Sequence, residues 1–312
     1  MKNINEKVIA ITGAGSGIGR SLAIQLSQQG SHLSLSDIDK VGLEETKNLL
    51  SEGVNVSTHL IDVADREQVY AWAADTIKTH KHVDCIINNA GAAAVATIED
   101  ISHEDFDWVF NIVFYGVLYG TKAFLPHLKE RPDAHIVNIS SVNGFVAGPT
   151  NGPYACAKHA VKALNQTLQQ ELRGTSVNIT SVHPGGVKTN IARNSRSFDT
   201  KELHNERVKR FDQIAKTSSD KAAQIIIEGM LKNRKRLLVG FDARVIDILH
   251  RIFPQKFSDF FGFIYERRAL QKGSKLRIMD YSGHIGIIGG GIAGLTLGCS
   301  LLTVSYTHLR AH

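Results

Sequence analysis

Two kinds of apolar spacing alternate along the first 240 positions. Short, nearly continuous apolar runs occur at 7–12 (KVIAIT), 32–37 (HLSLSD), 54–62 (VNVSTHLID), 83–91 (VDCIINNAG), 135–141 (HIVNISS), 177–186 (VNITSVHPGG) and 236–240 (RLLVG). Between them, apolar residues recur every three or four positions at 17–30, 40–53, 66–80, 103–128, 153–174 and near 219–232. The first spacing predicts strands and the second amphipathic helices. Gly30 and Gly53 close two of the helices. Strict strand–helix alternation predicts an α/β chain: a doubly wound parallel sheet of about seven strands with helices on both faces and right-handed crossovers. The segment 188–217 is polar, basic and aperiodic. It is expected to be a long insertion between strand and helix, where lids occur.

Composition narrows the function classes. The net charge of +6 arises mostly from the second half, in LKNRKR (231–236), ERR (266–268) and KGSKLR (272–277). Such runs read as solvated faces, and without an aromatic–basic array no nucleic-acid partner is expected. Cys85, Cys156 and Cys299 are odd in number and far apart. They suggest neither a disulfide framework nor a metal site, and a reduced, cytoplasmic setting fits. Cys156 is expected to be a small packing residue. Glu6 and Lys7 directly precede the first apolar run, which excludes a signal peptide there, and no apolar run is long enough for a membrane span. No His/Cys/Asp cluster points to a metal.

The chemistry-bearing residues lie at the ends of the expected strands. Gly13, Gly17 and Gly19 follow a strand and open a helix, allowing a tight turn and close approach of a pyrophosphate to the helix N-terminus. Asp37 ends the next strand. A carboxylate there accepts hydrogen bonds from ribose hydroxyls and repels a 2′-phosphate, which favours NAD over NADP. Tyr154 and Lys158 are four apart in a helical segment and share a face, so the ammonium is expected to lower the phenol pKa. Such a tyrosine exchanges a proton with an alcohol near neutral pH. Ser141 ends the preceding strand, placed to hold a substrate oxygen. Taken singly, Ser141 reads equally as a turn hydroxyl and Asn111 as a helix-interior amide.

Together, TGAGSGIG (12–19), Asp37, Asp62-Val63, NNAG (88–91), Asn111, Ser141, YACAK (154–158) and HPGGVKT (183–189) resemble the short-chain dehydrogenase/reductase family, in family order from residue 7 to about 240. The resemblance implies a Rossmann fold and an NAD(P)-dependent oxidoreductase that interconverts a secondary alcohol and a carbonyl. It implies Tyr154 as general acid/base, Lys158 as its activator and ribose ligand, and Ser141 as the group that orients the substrate oxygen. Asn111 would bend its helix and hold a water linking Lys158 to solvent. Gly13, Ser16, Gly17, Ile18 and Gly19 would cradle the cofactor. Asp62 and Val63 would contact the adenine, Asn89 and Gly91 would line the cofactor, and Pro184, Val187 and Thr189 would meet the nicotinamide. The resemblance also implies a homodimer or homotetramer through 103–128 and 153–174. A medium-sized, hydrophobic alcohol or ketone is the expected substrate. The competing readings are a non-catalytic NAD-binding sensor or scaffold, and half of a dehydrogenase–flavin monooxygenase fusion.

Three divisions are expected: a catalytic domain over 1–240, a helical extension over 241–278 and a tail over 279–312. In the extension, Val245, Ile248, Leu249 and Ile252 share a helical face, opposite Arg244, Asp247 and Arg251. Packing on the domain or a partner subunit is the favoured reading of this region. Membrane-surface contact through 254–277 is the alternative. The tail contains Gly289, Gly291 and Gly294 after an apolar run. It resembles the opening of FAD-dependent monooxygenases, and TVSYTHLRAH (303–312) resembles a translated sequencing adapter. A βαβ nucleotide unit needs about 30 residues with a second strand, so no FAD binding is expected from this fragment.

Overall fold

Continuous apolar runs become central strands because helices cover both faces of the sheet they form. The computed structural model describes residues 1, 3–197, 200–257 and 259, so the expectations for 260–312 lie outside the described residues. In chain order the elements are β1 (Val8–Thr12), α1 (Gly17–Ser27), β2 (His32–Asp37), α2 (Lys40–Lys47), β3 (Val56–Leu60), α3 (Arg66–His80), β4 (Cys85–Asn88), β5 (Ala94–Val95) and α4 (His103–Phe110). A π-helical turn over Asn111–Tyr115 leads into α5 (Gly116–Lys129) and β6 (Ala134–Ile139). A 3₁₀ turn (Val142–Gly144) precedes α6 (Gly152–Glu171) and β7 (Val177–Pro184). β8 (Arg196–Ser197), α7 (Lys201–Ile214), α8 (Ser219–Leu231), β9 (Arg236–Val239) and α9 (Phe241–Ile252) follow.

The main sheet runs β3-β2-β1-β4-β6-β7-β9, and each neighbouring pair is parallel. This is the doubly wound α/β fold expected from the alternating pattern. The order reverses between β1 and β4, and in open α/β sheets ligands bind outside the strand carboxyl ends at such a switch point. On one face, Leu22 and Leu26 of α1 and Ile226 and Met230 of α8 pack on Ile9, Ile11 and Ile87. On the other, Val69 and Trp72 of α3, Phe124 and Leu128 of α5 and Leu168 of α6 pack on Val8, Ile86 and Ile136. Trp72 lies edge-on to Phe124 with centroids 4.8 Å apart and donates its Nε1–H to Ser34 Oγ at 2.9 Å.

Local chemistry sets the helix starts. Asp39, Asp65, Ser102, Thr200 and Ser218 each cap a helix by accepting a backbone N–H in the first turn. The Thr200 cap explains α7, a helix where the aperiodic sequence suggested none. Among the described residues, His103–Lys129 alone has the length and composition of a membrane span. Its Val109, Val113, Val117, Phe124 and Leu128 are buried in the protein core. That stretch is not one regular helix: the π turn inserts one residue per turn and shifts the facing of everything after it.

Candidate active site

The expected site residues gather along the carboxyl edge of the sheet. The glycine loop follows β1, Asp37 ends β2, Asp62 and Val63 follow β3, and Asn89 to Gly91 follow β4. Ser141 follows β6, and Pro184 to Thr189 run out of β7.

Gly13 and Gly17 have φ of +66° and +53°, where a side chain would be strained. A Cβ at Gly13 would come within 2.9 Å of Ala90 Cα, and one at Gly17 within 3.1 Å of Thr189 Cγ2. The loop after β7 therefore reaches across to the start of α1. Asn89 pins the loop, donating Nδ2–H to the carbonyls of Thr12 and Gly13 at 3.0 and 3.2 Å. Ser16, at the N-cap of α1, makes no side-chain cap hydrogen bond, so the first-turn N–H groups stay open to an anion. Ile18 leans partly into the core, while Ser16 and Gly91 are exposed. Asp62 accepts from Ala64 N at 2.9 Å beside the buried Val63. Pro184 and Val187 are buried, so both are backbone contributors to the edge.

Asp37 holds the loop from the β2 side. Its Oδ2 accepts from Gly15 N at 2.7 Å and its Oδ1 from Asp39 N at 2.9 Å. Each oxygen keeps a lone pair, enough for a diol. Arg20 is committed beneath the loop, donating to the carbonyls of Gly15 and Gly42, to Thr46 Oγ1 and to Glu45. An open helix N-terminus, a glycine-rich loop and a strand-end carboxylate together fit a dinucleotide.

Tyr154 and Lys158 sit one turn apart on α6, with Nζ 5.5 Å from the tyrosine ring centroid. The Ser141 side chain lies close enough to the Tyr154 hydroxyl to oppose the rise in its pKa. Lys158 is 2% exposed, and its Nζ donates to the Ile139 carbonyl at 2.6 Å. Ser140 Oγ donates to the Lys158 carbonyl at 3.0 Å, tying the end of β6 to α6. Burial lowers the Lys158 pKa to about 7. Burial also raises that of Tyr154 to about 12, opposed by the Ser141 hydroxyl. The lowered tyrosine pKa expected from the i, i+4 spacing is therefore not what this structure shows, because desolvation outweighs the opposing Ser141 hydroxyl.

Asn111 lies on the neighbouring helix, at the break between α4 and α5. It opens the π turn, is exposed, and its side chain makes no hydrogen bond to a described residue. The turn instead presents the buried Val113, clustered with Ala94, Val109 and Ala157 and packed against Tyr154. Cys156, expected to pack, is exposed on α6. Among the described residues no His/Cys/Asp/Glu group has the arrangement to hold a metal.

Sequence reasoning missed a buried polar chain beneath the site. Asn88 donates to Asn138, Asn138 to Asn165, and Asn165 to Ser181 Oγ, at 2.7, 2.7 and 2.9 Å. Ser181 Oγ lies 3.0 Å from His183 Nε2, and His183 Nδ1 lies 3.1 Å from the Ser141 carbonyl. Burial lowers the His183 pKa to about 4, so the ring is neutral. The carbonyl can only accept, which places the proton on Nδ1. The sequence signal was the run of polar residues at alternate positions inside otherwise apolar strands.

The segment after β7 folds over this edge. β8 pairs with β5, Arg196 stacks on Trp108 at 3.8 Å from the ring centroid, and its Nη1 meets Asp105 Oδ1 at 2.8 Å. A cleft of about 410 Å³ opens along this segment, lined by Lys188, Thr189, Asn190, Arg193 and Asp212.

The family described as short chain dehydrogenase matches residues 7–200. "Putative oxidoreductase SadH" of Mycobacterium tuberculosis is 40% identical over 261 residues, which are 82% of this chain and 94% of that protein. A short chain dehydrogenase/reductase from Burkholderia phymatum in complex with NAD superposes with a TM-score of 0.76 at 29% identity, covering 82% of this chain and 97% of that one. An alcohol dehydrogenase from the archaeon Thermococcus sibiricus, complexed with 5-hydroxy-NADP, gives a TM-score of 0.64 at 28% identity, covering 75% and 95%.

Proposed function

The chain belongs to the short-chain dehydrogenase/reductase family, and we propose that it interconverts a secondary alcohol and its ketone with NAD as the hydride carrier. The observation that carries this reading is Lys158, buried one turn along α6 with its Nζ 5.5 Å from the Tyr154 ring and bonded to the end of β6, from which Ser141 follows. A substrate oxygen received by both hydroxyls exchanges its proton with Tyr154. Ser141, fixed at the N-cap of the 3₁₀ turn and accepting from Asn143 N at 3.1 Å, orients that oxygen. When bound, the cofactor supplies or accepts the hydride. Lys158 holds a proton next to Tyr154, and its lowered pKa keeps that proton exchangeable near neutral pH.

The relatives bind both cofactor types by name, so the choice rests on this chain's own residues. Asp37 at the end of β2 and the committed Arg20 favour free ribose hydroxyls over a 2′-phosphate. The apolar cluster of Ala94, Val113 and Ala157 beside Tyr154 favours a hydrophobic substrate of medium size.

The test is NADH formation from a panel of secondary alcohols, with NAD and NADP, beside Tyr154→Phe. Turnover with NAD is expected, and the variant should lose roughly 10³-fold in kcat while binding NADH within about twofold of the parent. Near-parental turnover by Tyr154→Phe would move the acid/base role elsewhere.

A further inference from the structure

The loop that leaves β7 is gripped from two sides. On one side, Val187 bridges to Thr217, Lys188 N donates to the Thr217 carbonyl at 2.9 Å and Thr217 N to the Gly186 carbonyl at 3.3 Å. On the other side stands Asp242, in the first turn of α9. Its Oδ2 accepts from Gly186 N at 2.6 Å. A Cβ built at Gly185 would run into all three carboxyl atoms of Asp242, and one at Gly240 would strike its Oδ1 and come within 3.0 Å of Thr217 Oγ1. Gly240 has φ of +102°, so the chain turns there in a way that drops Asp242 between the glycines. The carboxylate fills the space that side chains would occupy at Gly185 and Gly240.

Helix α9 is itself anchored. Asp247 takes both Arg236 nitrogens, Nη1 at 2.9 Å and Nη2 at 2.5 Å, and Arg251 Nε at 3.0 Å. Arg236 lies over Phe145 at 5.3 Å, and Phe145 packs against His183 and His250. Phe145 ends the 3₁₀ turn that begins at Ser141. One helix thus bears on the two loops that flank the candidate site.

We infer that Asp242 is a positioning residue for cofactor binding: its carboxylate fixes the Gly185–Gly186 backbone and through it places Val187 and Thr189. The inference rests on the cofactor reading given above. Two adjacent glycines without this anchor have wide conformational freedom, which a bound cofactor must then restrict. The cost falls on cofactor affinity and leaves the fold intact, because Arg236–Asp247 still holds α9.

The experiment is NADH binding by fluorescence, with steady-state kinetics and thermal melts, on the full chain. Asp242→Ala is expected to raise the NADH Kd and the KM for NAD about tenfold, with a smaller change in kcat. Asp242→Asn keeps an oxygen in place and should recover affinity to within about threefold of the parent. Gly185→Ala should weaken NADH binding in the parent but cost little on top of Asp242→Ala, since its methyl then enters vacated space. A parent that binds no NADH removes the premise and the inference together. A parent that binds NADH and is matched by Asp242→Ala removes the inference alone, as does an Asp242→Asn as weak as the alanine variant. If Asp242→Ala fails to fold, Gly185→Ala decides: parental affinity there overturns the proposal.

Discussion

Lys158→Met should stabilise the protein while abolishing its chemistry. The lysine is 2% exposed, and burial takes its pKa from 10.5 to about 7. At about 1.36 kcal/mol per pH unit, that displacement corresponds to roughly 4–5 kcal/mol against burying the ammonium. Methionine has similar length and no charge, so it escapes this cost. It also forfeits the 2.6 Å bond to the Ile139 carbonyl, leaving a buried acceptor unpaired for about 1–3 kcal/mol. The balance favours the variant by about 2 kcal/mol, or about 4–8 °C in Tm for a domain of this size.

The pH dependence separates this argument from simple repacking. The folded pKa is depressed, so between about pH 7 and 10 the unfolded chain binds the extra proton. Parent stability therefore rises with pH across that window as the folded lysine sheds its charge. Below pH 7 the full cost of the buried charge is present. The gap between parent and variant should be widest near pH 6–7 and close toward pH 10. Differential scanning calorimetry at unit pH steps, without nucleotide, measures it, and turnover at pH 7 should fall at least 10²-fold. A variant less stable than the parent at pH 7, or a gap that does not narrow by pH 10, would refute the reasoning.

Asp37→Ser should shift the NADP-to-NAD ratio of kcat/KM toward NADP by about tenfold or more, as a like charge facing the 2′-phosphate is removed. Absolute affinity should fall for both cofactors, because Gly15 N loses its 2.7 Å acceptor; an unchanged ratio would exclude Asp37 as the selector. Asp84 is fully buried and accepts from Val8 N at 3.0 Å, Arg131 Nε at 2.9 Å and Lys7 Nζ at 3.3 Å. Burial pushes its pKa up, but these partners more than offset that and hold it below the ordinary value. Its stabilisation is full above the unfolded carboxylate pKa of about 4 and lost as pH falls further. Asp84→Asn should thus cost about 3 kcal/mol in urea melts at pH 7 and flatten acid unfolding below pH 4. Arg196→Ala removes the Trp108 stack and the Asp105 pair. It should raise substrate KM by about three- to tenfold while leaving the NADH Kd unchanged, as steady-state kinetics and a fluorescence titration will show.

The sheet was legible because its central strands β1, β4, β6 and β7 are buried on both faces, so each reads as an apolar run whatever its neighbours. The ends of those strands carry Asp37, Ser141 and Pro184, and strand topology alone brings them to one edge. The helix α7 was not legible: it buries no residue completely, so no apolar stripe marks it, and only the Thr200 cap announces it. Nor was the Tyr154–Lys158 balance, since i, i+4 spacing conveys proximity but says nothing of how deeply the pair is desolvated.

The break in the helix at Asn111 has a geometric description. A period of 3.6 residues assigns faces correctly only while each N–H reaches back four residues. In the π turn Gly116 N reaches the Asn111 carbonyl, five back, so one extra residue is accommodated. Side chains beyond it are rotated relative to the regular pattern, and the face toward α6 is taken by Val113. Asn111 itself stands at the start of this turn, exposed. The proton-handling groups that converge are Ser141, Tyr154 and Lys158, and the polar contact made by Nζ is a backbone carbonyl of β6.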